Sequence, residues 1–497
     1  MHKIIIGSSV SAIVAFFLIA PLWTGYHSEQ ELLELTNGAP LPNGTKLRID
    51  SYNRGWFSST GELKVIVNSG QPAPITVAAP FKVFHGPIII GKDVGFKIAP
   101  AAVEVIFKMP NVDEATQKQL ANVIDENALI TIISTIGLTG NLHATVHTTG
   151  INYKETDGMM SWSGLQGTVD YLPSHKTVKS HITVSPVELS VINPDTAPKQ
   201  LEISEIVINS NLHQDDNGLW LGDVSSDIKT IKHQEGEKTT LLEDFHHTSN
   251  LQNNGDNATI NYHSVLNLQK ATVGQHVLGP IDLDYNVNKL DPKGVVDFNN
   301  DLRNLLFSDD SSLAGNSIRL LQSAAFMIHH GLEVDVNKLD IKASKGEFHL
   351  TAKVNLPAIT NLLAIISNAD QLLKEVQITV NMKTSELLAK QLMQVASYHS
   401  LERVSNIDTA ASPEQKQTIN DLIAKEDEQT IQNWLNAGYV ALENGQYVTT
   451  LEIKEGVAFA NGKRIEEEEP AAAPAQTPVP AQAPAAAIPA PQASAAK

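Results

Sequence analysis

From Leu142 to Leu283 apolar and polar residues alternate with a period of two, in runs such as LHATVHTTGINYK, LQGTVDYL, HITVSPVELSVI, LEISEIVINSNL, WLGDVSSDIKTI and ATINYHSVLNL. Such alternation puts the apolar set on one face of a strand. Asp216-Asn217-Gly218 and Asn253-Asn254-Gly255 supply the positive φ that tight turns need. The pattern predicts a long antiparallel meander whose apolar face must be covered by the sheet itself, by helices or by an apolar ligand. A helical period marks Tyr26 to Leu35, Val112 to Ile124, Asp297 to Ile328 with a break near Ser308 to Gly315, Leu356 to Val376, and Ser385 to Ala396. Ser412-Pro413-Glu414-Gln415 opens a further helix with proline in its first turn, and a last β unit runs from Gly445 to Arg464. Helices before Asp297 are too few to cover the strands that precede it. Two readings stay open: later helices or a second sheet layer cover the apolar face, or part of it, Ile182, Val184, Leu189 and Val191 among it, lines a groove.

Twenty residues, Ile4 to Trp23, carry no charge. As a helix at about 1.5 Å per residue they extend roughly 30 Å, the thickness of a bilayer's hydrocarbon core. A cleaved signal peptide and a buried core helix are the competing readings. Signal peptidase needs small residues one and three before its cut. Cleavage after Ala20 puts Leu18 three before the cut and Pro21 behind it, and cleavage after Gly25 puts Trp23 three before. An uncleaved anchor is expected. Lys3 precedes the stretch while Glu29, Glu31 and Glu34 follow it, so the chain beyond is expected to be exported.

The resulting fold class is α+β and predominantly β: an N-terminal transmembrane helix, then an elongated, mostly antiparallel sheet with helices mainly in the C-terminal half. Four regions are expected: a cytoplasmic stub and anchor at 1–25, a β-rich part at 26–296, a helix-rich part with its closing β unit at 297–465, and a tail at 466–497. Of the 28 residues from Pro470 onward, 20 are Ala or Pro, so the tail has nothing with which to build a core. NVNKLDPK at Asn286 returns as DVNKLDIK at Asp335, forty-nine residues later, an echo of a duplicated strand and helix unit rather than a strict repeat.

Charge and cysteine narrow the classes of function. The chain of 497 residues has 55 acidic against 36 basic residues, a formal charge of −19, and no cysteine. Nucleic acid is excluded as a partner, because its phosphates call for clustered Lys and Arg. Disulfides, thiolate metal sites, cysteine nucleophiles and a lipidated cysteine are excluded as well.

Tyr52, Arg54, Gly55, Trp56, Phe57 and Ser59 form a Y-x-R-G-W-F-x-S pattern. His85-Gly86-Pro87, then Trp162, Gly164 and Gly167 in WSGLQG, and Gly456 with Asn461-Gly462-Lys463 extend it along nearly the whole chain before the tail. With these motifs the chain resembles the YdgA family of bacterial inner-membrane proteins of unknown function. The resemblance implies a single-span envelope protein with a periplasmic ectodomain; it carries no catalytic residues and no cofactor. Read as residues alone, Trp56 and Phe57 are expected to clamp a turn against the sheet, with Arg54 stacked or paired nearby, the alternative being a membrane-interface or partner contact.

No nucleophile elbow, zinc-binding helix motif, phosphate loop, dinucleotide fingerprint or calcium loop is present in the sequence. His143 and His147 lie about 13 Å apart if both are on one strand face, too far to share a zinc. His246-His247 beside Glu243 and Asp244, and His329-His330, are adjacent pairs that diverge on regular structure, so no metal is assigned. Asp282 and Asp284 share one strand face and read as solvated acidic residues rather than an acid/base pair. Two functions remain: a non-enzymatic envelope protein, scaffold or binder of lipid, and a periplasmic hydrolase with a site scattered through the sequence. The expected partners are the inner membrane through Ile4 to Trp23, a lipid or another envelope protein, and a second copy of the chain.

Overall fold

The computed structural model describes residues 46–67, 75–107, 130–155, 158–192, 197–236, 238–255, 258–273, 276–306, 313–358, 374–390, 392–393 and 413–465. The expected anchor, the helices at Tyr26 to Leu35 and Val112 to Ile124, and the tail lie outside the described residues. Among those described, no helix is long and apolar enough to cross a membrane.

The fold is predominantly β. The strands are β1 (Lys46–Asn53), β2 (Ser58–Val67), β3 (Ile75–His85), β4 (Ile88–Gly91), β5 (Gly95–Ile98), β6 (Ala101–Phe107), β7 (Ile130–Ile136), β8 (Leu142–Thr148) and β9 (Ile151–Glu155). Next come β10 (Gly158–Trp162), β11 (Leu165–Leu172), β12 (Thr177–Val184), β13 (Val187–Val191), β14 (Lys199–Ile203), β15 (Ile206–Gln214), β16 (Trp220–Glu235), β17 (Lys238–Asn253), β18 (Ile260–Val273) and β19 (His276–Leu290). After two helices, α1 (Pro292–Leu306) and α2 (Leu313–Met327), the sheet resumes with β20 (Leu332–Ala343), β21 (Gly346–Leu356) and β22 (Gln377–Ser385). Helix α3 (Pro413–Ala437) and strands β23 (Ala441–Glu443), β24 (Gln446–Lys454), β25 (Val457–Ala460) and β26 (Lys463–Arg464) close the chain.

Neighbours in the main sheet are antiparallel, from β15 through β16, β17, β18, β19, β20, β21 and β22 to β24. Strands β9, β10, β13 and β14 continue β8, β11, β12 and β15 past short interruptions, and the register is the same on either side: His147 faces Gln166 and Ile151 faces Trp162. The interruptions fall at one level: Thr149-Gly150, Ser163-Gly164, Ser185-Pro186 and Ser204-Glu205, then Asp244, whose φ is +53°. At this crease the alternation steps by one residue. Ile182 and Val184 give way to Val187 and Leu189, and Leu201 and Ile203 to Ile206 and Ile208. A step taken by every strand at the same level keeps the apolar residues on one side without breaking the pairing. Gly164 sits here with φ +98°, where a Cβ would collide with the Thr148 carbonyl oxygen. Leu165 N–H donates to Thr148 Oγ1 at 2.7 Å, and Ser185 N–H to the Gly164 carbonyl at 2.9 Å.

Two helix boundaries differ from the pattern. Helix α1 starts at Pro292, five residues before the expected Asp297, because Asp291 caps it, with Oδ1 accepting the Gly294 N–H at 2.7 Å and proline at the first position. Leu356 closes β21 instead of opening a helix, since Pro357 disfavours helical geometry in the residue before it. Helices α1 and α2, with Ile328 in the turn that follows, pack Val295, Val296, Met327 and Ile328 on Leu251, Leu290 and Val287 at one end of the sheet, where Leu221 and Ile260 are fully buried.

Candidate functional site

The family motif gathers at one corner. Arg54 to Phe57 form the turn between β1 and β2, and the Phe57 carbonyl accepts the His85 N–H at 2.9 Å. The expectation that Trp56 and Phe57 clamp this turn is not met: their side chains are 48% and 60% exposed, because the turn is held through its backbone instead. Ser59 Oγ and His85 Nε2 lie 2.8 Å apart, both buried. Burial first, and the charge of Arg54 second, hold His85 below the ordinary histidine pKa. A serine beside a neutral histidine is the geometry of an activated nucleophile, but Ser59 is fully buried, so substrate cannot reach it. The pair joins β2 to β3. Tyr52 packs on Phe81, with ring centroids 5.9 Å apart. Beyond Gly86-Pro87, the β4 and β5 hairpin exposes Ile88, Ile90, Phe96 and Ile98 from one face. A Cβ on Gly86 would collide with the Ala99 carbonyl oxygen.

The other motif residues are architectural. Trp162 and Gly164 flank the crease, and Gly167 pairs with Ile182. Asn461 and Gly462, both with positive φ, form the two-residue turn from β25 to β26, where Asn461 Oδ1 accepts the Thr450 N–H at 2.8 Å.

Polar candidates are taken up in cross-strand pairs. His143 Nδ1 meets Asp170 at 2.7 Å, His246 Nδ1 meets Asp227 at 2.5 Å, and His263 Nε2 meets Asp284 at 3.1 Å. Asp282 accepts hydrogen bonds from Lys338 at 2.9 Å and Asn267 at 2.7 Å, and the Lys338 bond chiefly lowers its pKa. Asp282 and Asp284 thus serve different partners, Lys338 and Asn267 for the first, His263 and Asn337 for the second. His247 turns the other way from His246, toward Ser264 Oγ at 3.1 Å. His329 and His330 depart from the expected divergence: both lie in the turn after α2, and both face Asp291.

The opposite face is apolar across its strands. In register lie Phe245, Leu268, Ile281, Ile341 and Phe348, and beside them Leu266, Leu283, Leu339, Leu350 and Met382. Most of these side chains are half-buried. This surface runs into a cleft of about 300 Å³ whose floor is Phe348, Met382, Thr384 and Tyr447 and whose walls are Ala389, Leu392, Met393, Ile431, Trp434 and Val440. Burial, and next the charge of Glu386, push the Tyr447 hydroxyl above its ordinary pKa, so it stays neutral. Lys390 bridges Glu386 at 3.2 Å and Glu428 at 3.3 Å, tying the short helix of 386–390 to α3. Sequence alternation pointed to the apolar face, but nothing local brings Leu392 and Trp434 over Phe348.

A one-sided antiparallel meander with a polar, ion-paired face and an apolar face ending in a helix-walled cleft defines the class of molecule: a β-rich protein built to present one apolar surface. The chain belongs to the family described as "Bacterial protein of unknown function (DUF945)", whose model matches residues 1–468. No curated protein matches it in sequence.

Proposed function

We propose that this chain is a non-enzymatic protein of the bacterial envelope, held in the inner membrane by Ile4 to Trp23, with its periplasmic sheet binding the acyl part of a lipid or another apolar chain. The observation that carries the reading is the continuity of the apolar face with the cleft between Phe348 and Trp434. A cleft of about 300 Å³ is in the range that accepts small ligands or one end of a longer one. Membrane attachment is supported by the uncharged stretch near the start, which the family match includes, and by the resemblance to the YdgA family of inner-membrane proteins. The exposed Trp56, Phe57 and hairpin face suit contact with a membrane interface. A scaffold role shares the same surface, with a protein as its occupant.

The test is mass spectrometry of lipids extracted from the chain purified without its first 25 residues. Recovery of acyl lipids in defined stoichiometry supports the proposal. A clean protein that also fails to bind long-chain fatty acid overturns the lipid reading.

A further inference from the structure

Asp291, His329 and His330 meet where the α1 and α2 hairpin joins the sheet. Asp291 is 9% exposed and held from two directions: its Oδ1 accepts the Gly294 N–H at 2.7 Å, and its backbone N–H donates to the Met327 carbonyl at 2.8 Å. Its Oδ2 faces two imidazoles, 3.4 Å from His330 Nε2 and 3.9 Å from His329 Nδ1. These gaps exceed the 2.7 and 2.5 Å of the solvated pairs His143 with Asp170 and His246 with Asp227. The His329 ring is fixed by stacking on Phe326, with centroids 4.8 Å apart and planes at 5°, and its Nδ1 lies 2.6 Å from the Phe326 carbonyl oxygen.

We propose that these three side chains bind one divalent transition-metal cation of the zinc class. One donor atom from each lies within 4.8 Å of the other two. The 3.4 Å between Asp291 and His330 is the edge of a tetrahedron whose centre is about 2.0–2.1 Å from each donor, the zinc distance to nitrogen and oxygen. Two imidazoles with one carboxylate favour zinc over magnesium or calcium, which take oxygen donors. His329 approaches Asp291 through Nδ1, the atom that also lies 2.6 Å from the Phe326 carbonyl oxygen, so ligation there would replace that hydrogen bond. Lys293, whose ammonium lies 5.3 Å from the centre of the Phe326 ring, is engaged by Asp297 at 3.0 Å. The ion would join the first turn of α1 to the turn after α2 and leave a fourth position open. This inference stands apart from lipid binding.

The test is titration of the tag-free, chelator-treated full chain with Co²⁺, read by visible absorption, followed by displacement with Zn²⁺. One tetrahedral Co²⁺ per chain is expected, with affinity at least about tenfold weaker in His330→Gln and in Asp291→Asn. His330 is exposed, so His330→Gln decides the matter even if Asp291→Asn fails to fold. No uptake by the parent chain, or unchanged uptake in His330→Gln, overturns the site.

Discussion

At the scale of single residues, the buried Ser59 and His85 pair shows how a motif that looks chemical becomes structural. Its members are 26 residues apart, each in a recognisable motif, but their meeting depends on β2 pairing with β3, which neither motif specifies. His85 Nδ1 is buried without a hydrogen-bond partner, so charging this ring in the fold is costly. A folded pKa below the unfolded value, which is about 6.5, means that the unfolded chain takes the proton first. The contribution to stability is therefore full above about pH 6.5 and is lost as pH falls from there to the folded value. Urea midpoints measured from pH 7.5 to 5 should fall for the parent chain, and the fall should be shallower in His85→Gln. At pH 7.5 the same variant should be less stable by about 1–3 kcal/mol, the cost of disturbing a buried hydrogen bond. Equal slopes for the two proteins would remove His85 as the sensor.

Among the elements, period-two runs reveal the strands, and Gly or Asn turns reveal where they reverse, because both signals are local. The crease is also written in the sequence, although not as a turn. In HITVSPVELSVI the apolar positions run Ile182, Val184, Val187 and Leu189, and the spacing of three marks the step. Only the alignment of such steps across neighbouring strands shows that they form one line, and that alignment is a property of the register. Helix α1 starts ahead of its expected position for a simpler reason: its cap, Asp291-Pro292, lies inside the NVNKLDPK echo and carries no helical period. Gly164 offers a test of the crease. Alanine there requires positive φ and a collision with the Thr148 carbonyl oxygen, so Gly164→Ala should lower stability by about 2 kcal/mol or more. Gly140→Ala, also at positive φ but with open space around its Cβ, isolates the collision from the backbone strain. If both variants lose equally in urea denaturation, close approach at the crease contributes nothing.

The whole molecule divides its labour between a polar face of cross-strand ion pairs and an apolar face whose ends are roofed by helices. The tail after Glu466 is almost wholly Ala, Pro and polar residues, with Val479 and Ile488 its larger apolar side chains, and truncation before it should leave Tm unchanged within about 4 °C. The apolar cleft allows a sharper prediction. Trp434 is 42% exposed in its wall and Met382 is in its floor, so an acyl chain entering it would lie against the indole. A fatty acid brominated along its chain should quench part of the fluorescence of the full chain, and Trp434→Phe should remove most of that quenching while leaving affinity within a few fold. Met382→Glu places a carboxylate among apolar walls, where desolvation of the charge opposes both folding and ligand. Binding should then fall at least tenfold, or about 1.4 kcal/mol. Thr384→Val supplies the control, since it makes the floor wholly apolar and should preserve binding. Quenching that persists in Trp434→Phe and is indifferent to Met382→Glu would place the acyl chain elsewhere on the sheet and leave the cleft as a seam between α3 and the strands beneath it.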